Sequence, residues 1–270
     1  MFTKADIHTN LREMGVKPTD TVIMHTSMKA IGDVEGGAEG FLDAMIDYFA
    51  KDGLLIVPTH TWARAFDKNY RGPTMEMDSD YTCIGLIPSI AAVHPRAHRS
   101  LHATHSVAAF GKGAEAYIAG EVMIDTFTSE RGCYGKLYEM GGKVLLVGVG
   151  HNRNTYLHSC EERMDVPNRL SKEPFPTTIR LRSGEIINRP LRGHMAEGCS
   201  DVSAHYPKFE PAFRRAGAIT DGSIGNAPTQ LCDCVTMCHV MQKIHEAHPD
   251  ELCFDDIPLS PELVELGAAN

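Results

Sequence analysis

A chain of 270 residues, 43% of them hydrophobic, is long enough to bury a sizeable core, and we expect one domain over residues 1–270. The formal net charge of −9 argues against a nucleic-acid-binding surface, which relies on clustered Lys and Arg. The amino-terminal segment lacks the apolar stretch of a signal peptide, and no segment reaches the roughly 18 apolar residues of a membrane span. We therefore expect a cytoplasmic protein whose eight cysteines are reduced thiols.

The first part of the chain predicts a βαβ unit. Residues 20–27 (DTVIMHTS) form a short run of apolar and β-branched residues, which is typical of a buried strand. The following GGAEGFLDAMIDYFAKDG carries apolar residues at helical spacing with Gly53 as a terminator, and LLIVPTHT predicts a second buried strand. A strand, a glycine loop, a helix and a strand in this order favour parallel pairing through a right-handed crossover.

Further elements complete a mixed sheet. IGLIPSIAAVHP predicts a short helix with Pro88 near its start, HSVAAFG a strand, GAEAYIAGEV a helix and KVLLVGVG another strand. TTIRLRSGEIINRPL alternates around Ser183-Gly184 and predicts an antiparallel hairpin, and DCVTMCHVMQKIHEAHP predicts a closing helix. We therefore expect an α/β fold: a three-layer α/β/α sandwich around a mixed, partly parallel sheet, with an antiparallel hairpin insertion.

A glycine-bearing loop joins the first strand to its helix. The segment HTSMKAIGDVEGG runs from His25 to Gly37; its glycines would let the backbone approach a ligand, and free amides at the helix start would attract an anion. It matches neither nucleotide-binding fingerprint, since both GxxxxGK[ST] and GxGxxG are absent. Two interpretations remain open: a site for a phosphate-bearing ligand, and an ordinary βα turn whose glycines relieve steric crowding.

His158 follows the apolar run KVLLVG in the segment GVGHNRNTYLHSCEER. Glu161 and Glu162 come three and four residues later, so on a helix the histidine and a carboxylate share one face. A neutral imidazole can accept a proton near neutral pH, and a carboxylate on its other nitrogen would fix its tautomer. A solvated His/Glu pair is the simpler alternative, but helix starts after buried strands are where open α/β sheets place their ligand sites.

Two groups of metal-ligating residue types are weaker candidates. His102 and His105 precede a strand without the glutamate and helix of HExxH, so we expect His102 to support the site through hydrogen bonds. The segment LCDCVTMCHV lacks the paired CxxC-type knuckles of a structural zinc site, which favours buried thiols, and we expect no metal. The cysteine-rich group comprises Cys199, Cys232, Cys234, Cys238 and His239.

Several segments, taken in order, resemble the aminoglycoside 3-N-acetyltransferase family, the antibiotic N-acetyltransferases that are distinct from the more common acetyltransferase fold. The matching pieces cover most of the chain from about residue 15 to 245, and their breadth and order are more specific than any single motif. They are VIMHTSMKAIGDVEGGAEGFLDAM, GLLIVPTHTW, CIGLIPSIAAVHP, RSLHATHSVAAFG, YGKLYEMGGKVLLVGVGHNRNTYLHSCEER and GAITDGSIGNAPTQL.

The resemblance implies an acetyl-CoA-dependent N-acetyltransferase that acts on the 3-amino group of aminoglycosides, with coenzyme A and the drug as its small-molecule partners. In that family the NTxLHxxE segment carries the catalytic histidine and its partner glutamate, which are His158 and Glu161 here. Thr59 and His60, with Thr61, match the substrate-binding segment that borders the acyl site. The loop that binds the phosphates and pantetheine arm of acetyl-CoA corresponds to Ser27, Met28, Lys29, Gly32, Val34, Gly36 and Gly37.

The physical requirements of amine acetylation agree with these roles. A protonated amine cannot attack a thioester until it loses a proton, so a positioned base should contribute about 10²–10⁴-fold. His158 would take that proton and Glu161 would stabilise the imidazolium. No GxSxG elbow is present and Cys160 points to another part of the helix, which favours direct transfer without a covalent enzyme intermediate. A backbone amide of residues 27–29 or the hydroxyl of Ser106 would stabilise the oxyanion.

Departures from the family pattern concern the acceptor. The family commonly has His-Pro where this chain has His102-Ala103, and an aromatic-arginine pair where it has AVHP. An acetyltransferase of the same fold that acts on a different, metabolic amine is the nearest alternative, and a non-catalytic CoA- or metal-binding module is an alternative from another class. An acidic pocket would suit a polycationic aminoglycoside. The acidic candidates for acceptor binding are Glu76, Asp78, Asp80, Glu162 and Asp201.

Overall fold

The computed structural model describes residues 1–199, 201–249 and 255–268, and ten strands are found among them. Seven strands form the main sheet and three form a smaller one. In chain order they are β1 (Thr21–Thr26), β2 (Leu54–Pro58), β3 (Met75–Glu76), β4 (His98–Arg99), β5 (Val107–Gly111), β6 (Lys143–Val147), β7 (Thr178–Arg180), β8 (Ile186–Asn188), β9 (Ile219–Ile224) and β10 (Ala227–Asp233).

The main sheet has the strand order β4-β5-β2-β1-β6-β10-β9. Its middle strand, β1, runs parallel to β2 on one side and to β6 on the other, whereas β5 and β10 run antiparallel to their inner neighbours. The carboxyl ends of β1, β2 and β6 therefore meet at one edge of the sheet, where β5 and β10 begin. This topology confirms the predicted mixed, partly parallel sheet.

Helices cover both faces of the main sheet. Eleven α-helices are present in the described part of the chain, and none of them is long and apolar enough to cross a bilayer. They are α1 (Lys4–Glu13), α2 (Met28–Ile31), α3 (Gly37–Phe49), α4 (Trp62–Phe66), α5 (Leu86–Val93), α6 (Ala114–Ile118), α7 (Cys133–Glu139), α8 (Tyr156–Arg163), α9 (Glu210–Arg215), α10 (Cys234–Ala247) and α11 (Pro261–Glu265).

The side chains of the central strands alternate between two apolar cores. On β1, Val22 and Met24 join a core built with α1, α3 and α5, whereas Ile23 joins a core built with α7, α8 and α10. The strand β6 alternates in the same way. Because successive strand residues point to opposite faces, continuously apolar strands need helices on both sides. The predicted α/β/α layering is thereby confirmed.

The hairpin insertion lies outside the main sheet. The predicted hairpin folds as β7 and β8, which pair antiparallel, and β7 also pairs with the two-residue strand β3. The helix predicted from GAEAYIAGEV is shorter than expected, since α6 ends at Ile118 and Gly120 takes φ +81° before a short 3-10 turn. Pro88 causes no break because it lies in the first turn of α5, where no amide donor is needed. That residues 1–270 form one domain stays a prediction.

Candidate active site

Polar residues collect where the parallel strands end. Thr59 and His60 follow β2 directly and are buried, and Ser106 precedes β5 beside them. The amide of Thr59 donates to the Ser106 carbonyl at 2.7 Å, and the Ser106 hydroxyl lies 2.8 Å from both the carbonyl and the hydroxyl oxygen of Thr59. These bonds extend the pairing of β2 with β5 beyond the strands. They also occupy the Ser106 hydroxyl, one of the two expected oxyanion donors.

The helix α8 presents the predicted dyad on one face. Its first residues, Tyr156 and Leu157, pack into the apolar core, and the Tyr156 hydroxyl donates to the carbonyl of Cys234 at 2.9 Å. This packing fixes the rotation of the helix. His158 and Glu161, one turn apart, both point to the side where Tyr206 lies.

A tyrosine hydroxyl links the two members of the dyad. The Tyr206 hydroxyl donates to Oε2 of Glu161 at 2.7 Å and lies 2.5 Å from Nδ1 of His158, while the direct Nδ1–Oε2 distance is 3.5 Å. Because the hydroxyl proton is directed to the carboxylate, Nδ1 of His158 must be the donor to the Tyr206 oxygen. This arrangement leaves Nε2 of His158 as the basic nitrogen.

Glu161 is a buried carboxylate with several donors. Besides the Tyr206 hydroxyl, it accepts a bond from Nε of Arg169 at 2.8 Å, and both side chains are almost fully buried. Burial alone would raise the pKa of Glu161, but the nearby His158 and the charge of Arg169 outweigh it, so the pKa lies below its ordinary value. Glu161 is therefore an anion at neutral pH.

Burial keeps the imidazole of His158 unprotonated at neutral pH. Loss of solvent around the imidazole, and secondly the nearby His194, lower the pKa of His158 to about 4, although Glu161 acts in the opposite direction. The imidazole is therefore neutral near pH 7. A neutral imidazole with one nitrogen committed as a donor can accept a proton at the other.

A second histidine–carboxylate pair lies against the first. His194 stacks on His158 with ring centroids 4.1 Å apart and an interplanar angle of 19°, and its Nε2 lies 2.8 Å from Oε1 of Glu162. Burial would raise the pKa of Glu162, but hydrogen bonds from His194, Thr126 and Thr128 outweigh it and lower this pKa to about 2. Glu162, predicted to bind the acceptor, thus has its carboxylate occupied by protein donors.

Other histidines surround this pair. The Nε2 of His60 lies 2.5 Å from the Tyr134 hydroxyl, and its ring centroid is 4.3 Å from that of His105. His102 bonds to the Thr126 carbonyl through Nε2, at 2.9 Å, and its Nδ1 accepts the amide of His105, also at 2.9 Å. His102 therefore stabilises the turn before β5 through these bonds. Its supporting role at the site stays a prediction. Burial lowers the pKa of each of these three histidines.

The loop after β1 is held in a backbone path that needs glycine. Gly32 has φ +86°, and a Cβ atom there would lie 2.6 Å from the side-chain amide nitrogen of Asn226. Gly36 and Gly37 take φ +73° and +63° where α3 begins. Only glycine adopts these backbone angles without strain, so the path of the loop into α3 requires glycine at all three positions.

The remaining residues of this loop differ in their exposure. Val34 is buried in an apolar core, and Phe2 forms backbone bonds with the residues on either side of it. Met28 packs partly against the same core, whereas Lys29 is exposed. The amide of Ser27 donates to the Val147 carbonyl at 2.9 Å, which joins the loop to the end of β6. Val34 could thus contact a ligand only through its backbone.

The acidic candidates for acceptor binding are paired with arginines or lie at the surface. Glu76 lies 3.7 Å from Arg64 and 3.8 Å from Arg180, and Asp78 lies 3.2 Å from Arg182. Asp80 is exposed, and Asp201 accepts a bond from the Ser203 hydroxyl at 2.7 Å. The contacts that the structure gives to His158 come instead from Glu161, Tyr206 and His194.

The cysteine-rich group does not gather around a centre. Cys232, Cys234 and Cys238 are buried, and His239 bonds to the Tyr138 hydroxyl at 2.8 Å. Across residues 1–199, 201–249 and 255–268, no three His, Cys, Asp or Glu side chains are arranged to hold a metal ion.

Three residues of the site were missed from the sequence. Tyr206 lies 48 positions from His158 along the chain, and Arg169 and His194 come from irregular segments. No period or motif connects them with the NTYLHSCE segment. The glycine that precedes His194 in RGHMAEG was the one signal in the sequence, and by itself it indicates only a loop.

The chain matches one family over most of its length. A sequence model described as aminoglycoside 3-N-acetyltransferase matches residues 23–246. Among characterised relatives, aminoglycoside N(3)-acetyltransferase VII of Streptomyces paromomycinus is 30% identical over 253 residues, which cover 85% of this chain and 86% of that protein.

Solved structures share the fold. A histidine-to-alanine mutant of aminoglycoside acetyltransferase AAC(3)-IVa, in complex with a gentamicin, superposes with a TM-score of 0.76 at 21% identity, covering 99% of this chain and 96% of that one. The binary complex of AAC-IIIb with CoASH gives a TM-score of 0.73 at 21% identity, covering 88% and 93%. Both likenesses confirm the predicted α/β fold.

Proposed function

Since this chain belongs to the aminoglycoside 3-N-acetyltransferase family, we propose that it transfers the acetyl group of acetyl-CoA to the 3-amino group of an aminoglycoside. Membership confirms the resemblance seen in the sequence motifs and identifies the chain as a transferase. The observation that carries the proposal is the buried relay of His158, Tyr206 and Glu161, which leaves Nε2 of a neutral imidazole as a base. Bound CoASH and gentamicin in structures of the same fold support the choice of substrates.

The acceptor nitrogen must lose two protons during the reaction, and each member of the relay has a role in the second transfer. The acceptor ammonium loses its first proton to solvent before attack, and not to His158 as expected from the sequence, because an imidazole whose pKa is lowered to about 4 is too weak a base for an ammonium ion. Only the free amine has the lone pair needed to bond to the thioester carbon. As the C–N bond forms, Nε2 of His158 takes a second proton from that nitrogen. Tyr206 connects the resulting imidazolium to the Glu161 anion. The C–S bond then breaks, and the thiolate of CoA receives the proton from His158.

Three side chains of the site support direct transfer without an acetyl-enzyme. The hydroxyls of Tyr206 and Ser106 are engaged in hydrogen bonds, and burial raises the pKa of the Cys160 thiol well above its usual range. A thiol that stays protonated is a poor nucleophile. The acceptor amine is therefore the group that attacks acetyl-CoA, and no acetyl-enzyme forms.

The loop of residues 27–37 is the proposed acetyl-CoA site. The first turn of the thirteen-residue helix α3 would offer backbone amides to phosphate oxygens, although the amide of Gly37 itself donates to the Val34 carbonyl at 2.9 Å. The exposed ammonium of Lys29 adds a charge of the right sign. Ser27, Met28, Gly32 and Val34 complete the loop, with Val34 contributing through its backbone. Since the Ser106 hydroxyl and the Ser27 amide are both engaged elsewhere, the amide of Met28 or Lys29 is the preferred oxyanion donor.

For the acceptor, we propose contacts at the edge formed by Thr59 and His60, with acidic side chains further out. Asp78 and Asp201 are exposed and could receive ammonium groups of a polycation. Glu76 is half-buried between two arginines, so its negative charge is already compensated.

One observation favours a second acceptor class. Arg64, Arg180 and Arg182 lie against Glu76 and Asp78, which makes this cluster cationic rather than acidic. A polycationic drug gains little there, so a different, metabolic amine with fewer charges is the second candidate. The same relay would serve it without change.

Thiol release from acetyl-CoA tests the proposal directly. We expect turnover with a panel of aminoglycosides and its loss in His158→Ala, with acetyl-CoA affinity retained in a binding assay. His239→Ala is the matched control, because His239 bonds only to Tyr138 on an outer face of the helices. Turnover with small metabolic amines alone would favour the second candidate. Binding of acetyl-CoA without turnover of any amine would identify a non-catalytic CoA-binding module.

A further inference from the structure

We propose that His194 is a positioning residue for His158, held by Glu162 so that its ring fixes the plane of the basic imidazole. The inference rests on the proposed function. It gives a role to His194 and Glu162, which form a second histidine–carboxylate pair outside the relay of His158, Tyr206 and Glu161.

The stacking geometry is the first observation. The rings of His158 and His194 are nearly parallel, at 19°, with centroids 4.1 Å apart. Tyr206 contacts His158 at its Nδ1 edge, with the two rings at 64°. An edge contact alone leaves the imidazole free to tilt about that hydrogen bond, whereas a ring against its face removes the tilt. The lone pair on Nε2 is thereby held in one direction.

The second observation is the way in which His194 is itself held. Its Nε2 bonds to Oε1 of Glu162, and Glu162 accepts three further bonds from Thr126 and Thr128 at both of its oxygens. A carboxylate with four donors cannot rotate without breaking several of them. The anion therefore fixes both the position of the His194 ring and the nitrogen that carries its proton.

The third observation is the path of the loop that carries His194. The preceding Gly193 packs so closely on Phe127 that a Cβ atom would lie 2.7 Å from the aromatic ring. The Gly193 carbonyl accepts the amide of Ser171 at 2.8 Å, and its own amide donates to the Ser171 hydroxyl at 3.2 Å. A side chain at residue 193 would push the loop, and His194 with it, away from α8.

The two stacked imidazoles also interact through charge. The groups that face His158 are His194, Tyr206 and Glu161, with Glu162, His60 and His105 at longer range. His194 in turn faces Glu162 and the edge of His105, with His60 and His102 at longer range. His194 lowers the pKa of His158, whereas both glutamates raise it. Removing the imidazole of His194 while keeping a flat ring should therefore make His158 easier to protonate.

Two variants separate the effect of the flat ring of His194 on kcat from the effect of its imidazole on the pKa of His158. His194→Phe keeps a flat ring, so we expect kcat to stay within about threefold of wild type while the acid limb of kcat/KM moves upward by at least about half a pH unit. His194→Ala removes the ring, so we expect kcat to fall by about tenfold or more with KM for acetyl-CoA unchanged. His239→Phe, remote from the site, should change neither quantity.

Isotope-labelled imidazole NMR gives a readout that does not depend on turnover. We expect the protonation of His158 to begin at higher pH in the full-length His194→Phe protein than in wild type. Wild-type kcat in His194→Ala, or an unmoved His158 titration in His194→Phe, would overturn the inference. If wild type turns over no amine, the proposed function fails, yet the titration still decides whether the two rings are coupled. Should His194→Ala unfold, the Phe variant alone decides.

Discussion

Tyr206 separates His158 from Glu161: its hydroxyl oxygen lies 2.5 Å from Nδ1 of the histidine, closer than the carboxylate, which is 3.5 Å away. A three-member relay is thus built where spacing alone predicts a pair. The hydroxyl can pass the stabilising effect of the Glu161 anion to the imidazolium, and it also fixes which nitrogen carries the proton. This makes Tyr206 as important to the proposed chemistry as the glutamate.

Tyr206→Phe tests the relay. We expect kcat to fall by about 10–100-fold, because Nδ1 of His158 loses its acceptor and the imidazolium loses its connection to Glu161. KM for acetyl-CoA should not change. The measurement is steady-state thiol release, with Tyr138→Phe as the control, since its hydroxyl bonds only to the exposed His239. Equal kcat in the two variants would show that the hydroxyl has no catalytic part.

Glu161→Gln tests the anion for both activity and stability. We expect kcat to fall by about 10²-fold or more, and the free energy of unfolding to fall by about 3–5 kcal/mol, because the buried Arg169 loses its carboxylate partner. Chemical unfolding measured beside turnover separates the two effects. In the control, Glu139→Gln, the carboxylate that pairs with Arg163 is mostly exposed, so the change should be under about 1 kcal/mol. A stable but inactive Glu161→Gln protein would assign the carboxylate to catalysis alone.

The sequence predicts those parts of the site that one helix turn brings together. His158 and Glu161 share a face because they are three residues apart, and the apolar run before them marks the strand that delivers them. Glu162 illustrates the limit of this argument. It lies about 100° further around α8, and only the fold reveals that it meets His194 there. Tyr206 comes from a 3-10 helix, Val202–Phe209, and Arg169 and His194 come from irregular segments. The position of all three depends on tertiary packing, which periodicity does not encode.

The strands are predicted to different extents for a similar reason. The continuously apolar β1, β2 and β6 were found because both of their faces are buried. The edge strand β9 reads ITDGSI and is mostly exposed, so it carries too few apolar residues to stand out. Its partner β10 was noticed only in part, through the family motif GAITDGSIGNAPTQL. The small strand β3 has two residues and no pattern of its own.

The buried histidines predict a stability that falls in acid. Burial lowers the pKa of His25, His151 and His158 from an ordinary 6.5 to about 4, so between these values the unfolded chain binds more protons than the folded one. Their contribution to stability is present above pH 6.5 and is lost as the pH falls towards 4. These three groups together would contribute a slope of about 4 kcal/mol per pH unit, and His60, His102 and His105, whose pKa values burial also lowers, add to it in the same direction. Urea unfolding at half-unit pH steps measures the sum.

His151→Phe isolates one of these histidines. Its Nε2 has no hydrogen-bond partner among the described residues, and its ring packs against Phe213 with centroids 5.2 Å apart. An apolar ring therefore fits the position, with the loss of one bond between Nδ1 and the side-chain nitrogen of Asn154, 3.2 Å away. We expect the slope between pH 6.5 and 4 to decrease by about 1.4 kcal/mol per pH unit. An unchanged slope would mean that His151 titrates equally in both states.

Lys29→Ala tests the proposed phosphate contact in the loop after β1. The ammonium of Lys29 is exposed on α2, close in the chain to the glycines that lead into α3, so it can reach the phosphates of CoA while backbone amides in the first turn of α3 bind them from the other side. We expect KM for acetyl-CoA to rise about three- to tenfold at low salt, and by less at about 0.5 M salt, because exposed charges are screened. Lys51→Ala removes an exposed lysine at the other end of α3 and should leave KM unchanged.

The sharper comparison uses acetylated pantetheine, which lacks the nucleotide phosphates. The KM for this substrate should be the same with and without Lys29. An equal rise for both substrates would mean that Lys29 shapes the loop and does not bind phosphate.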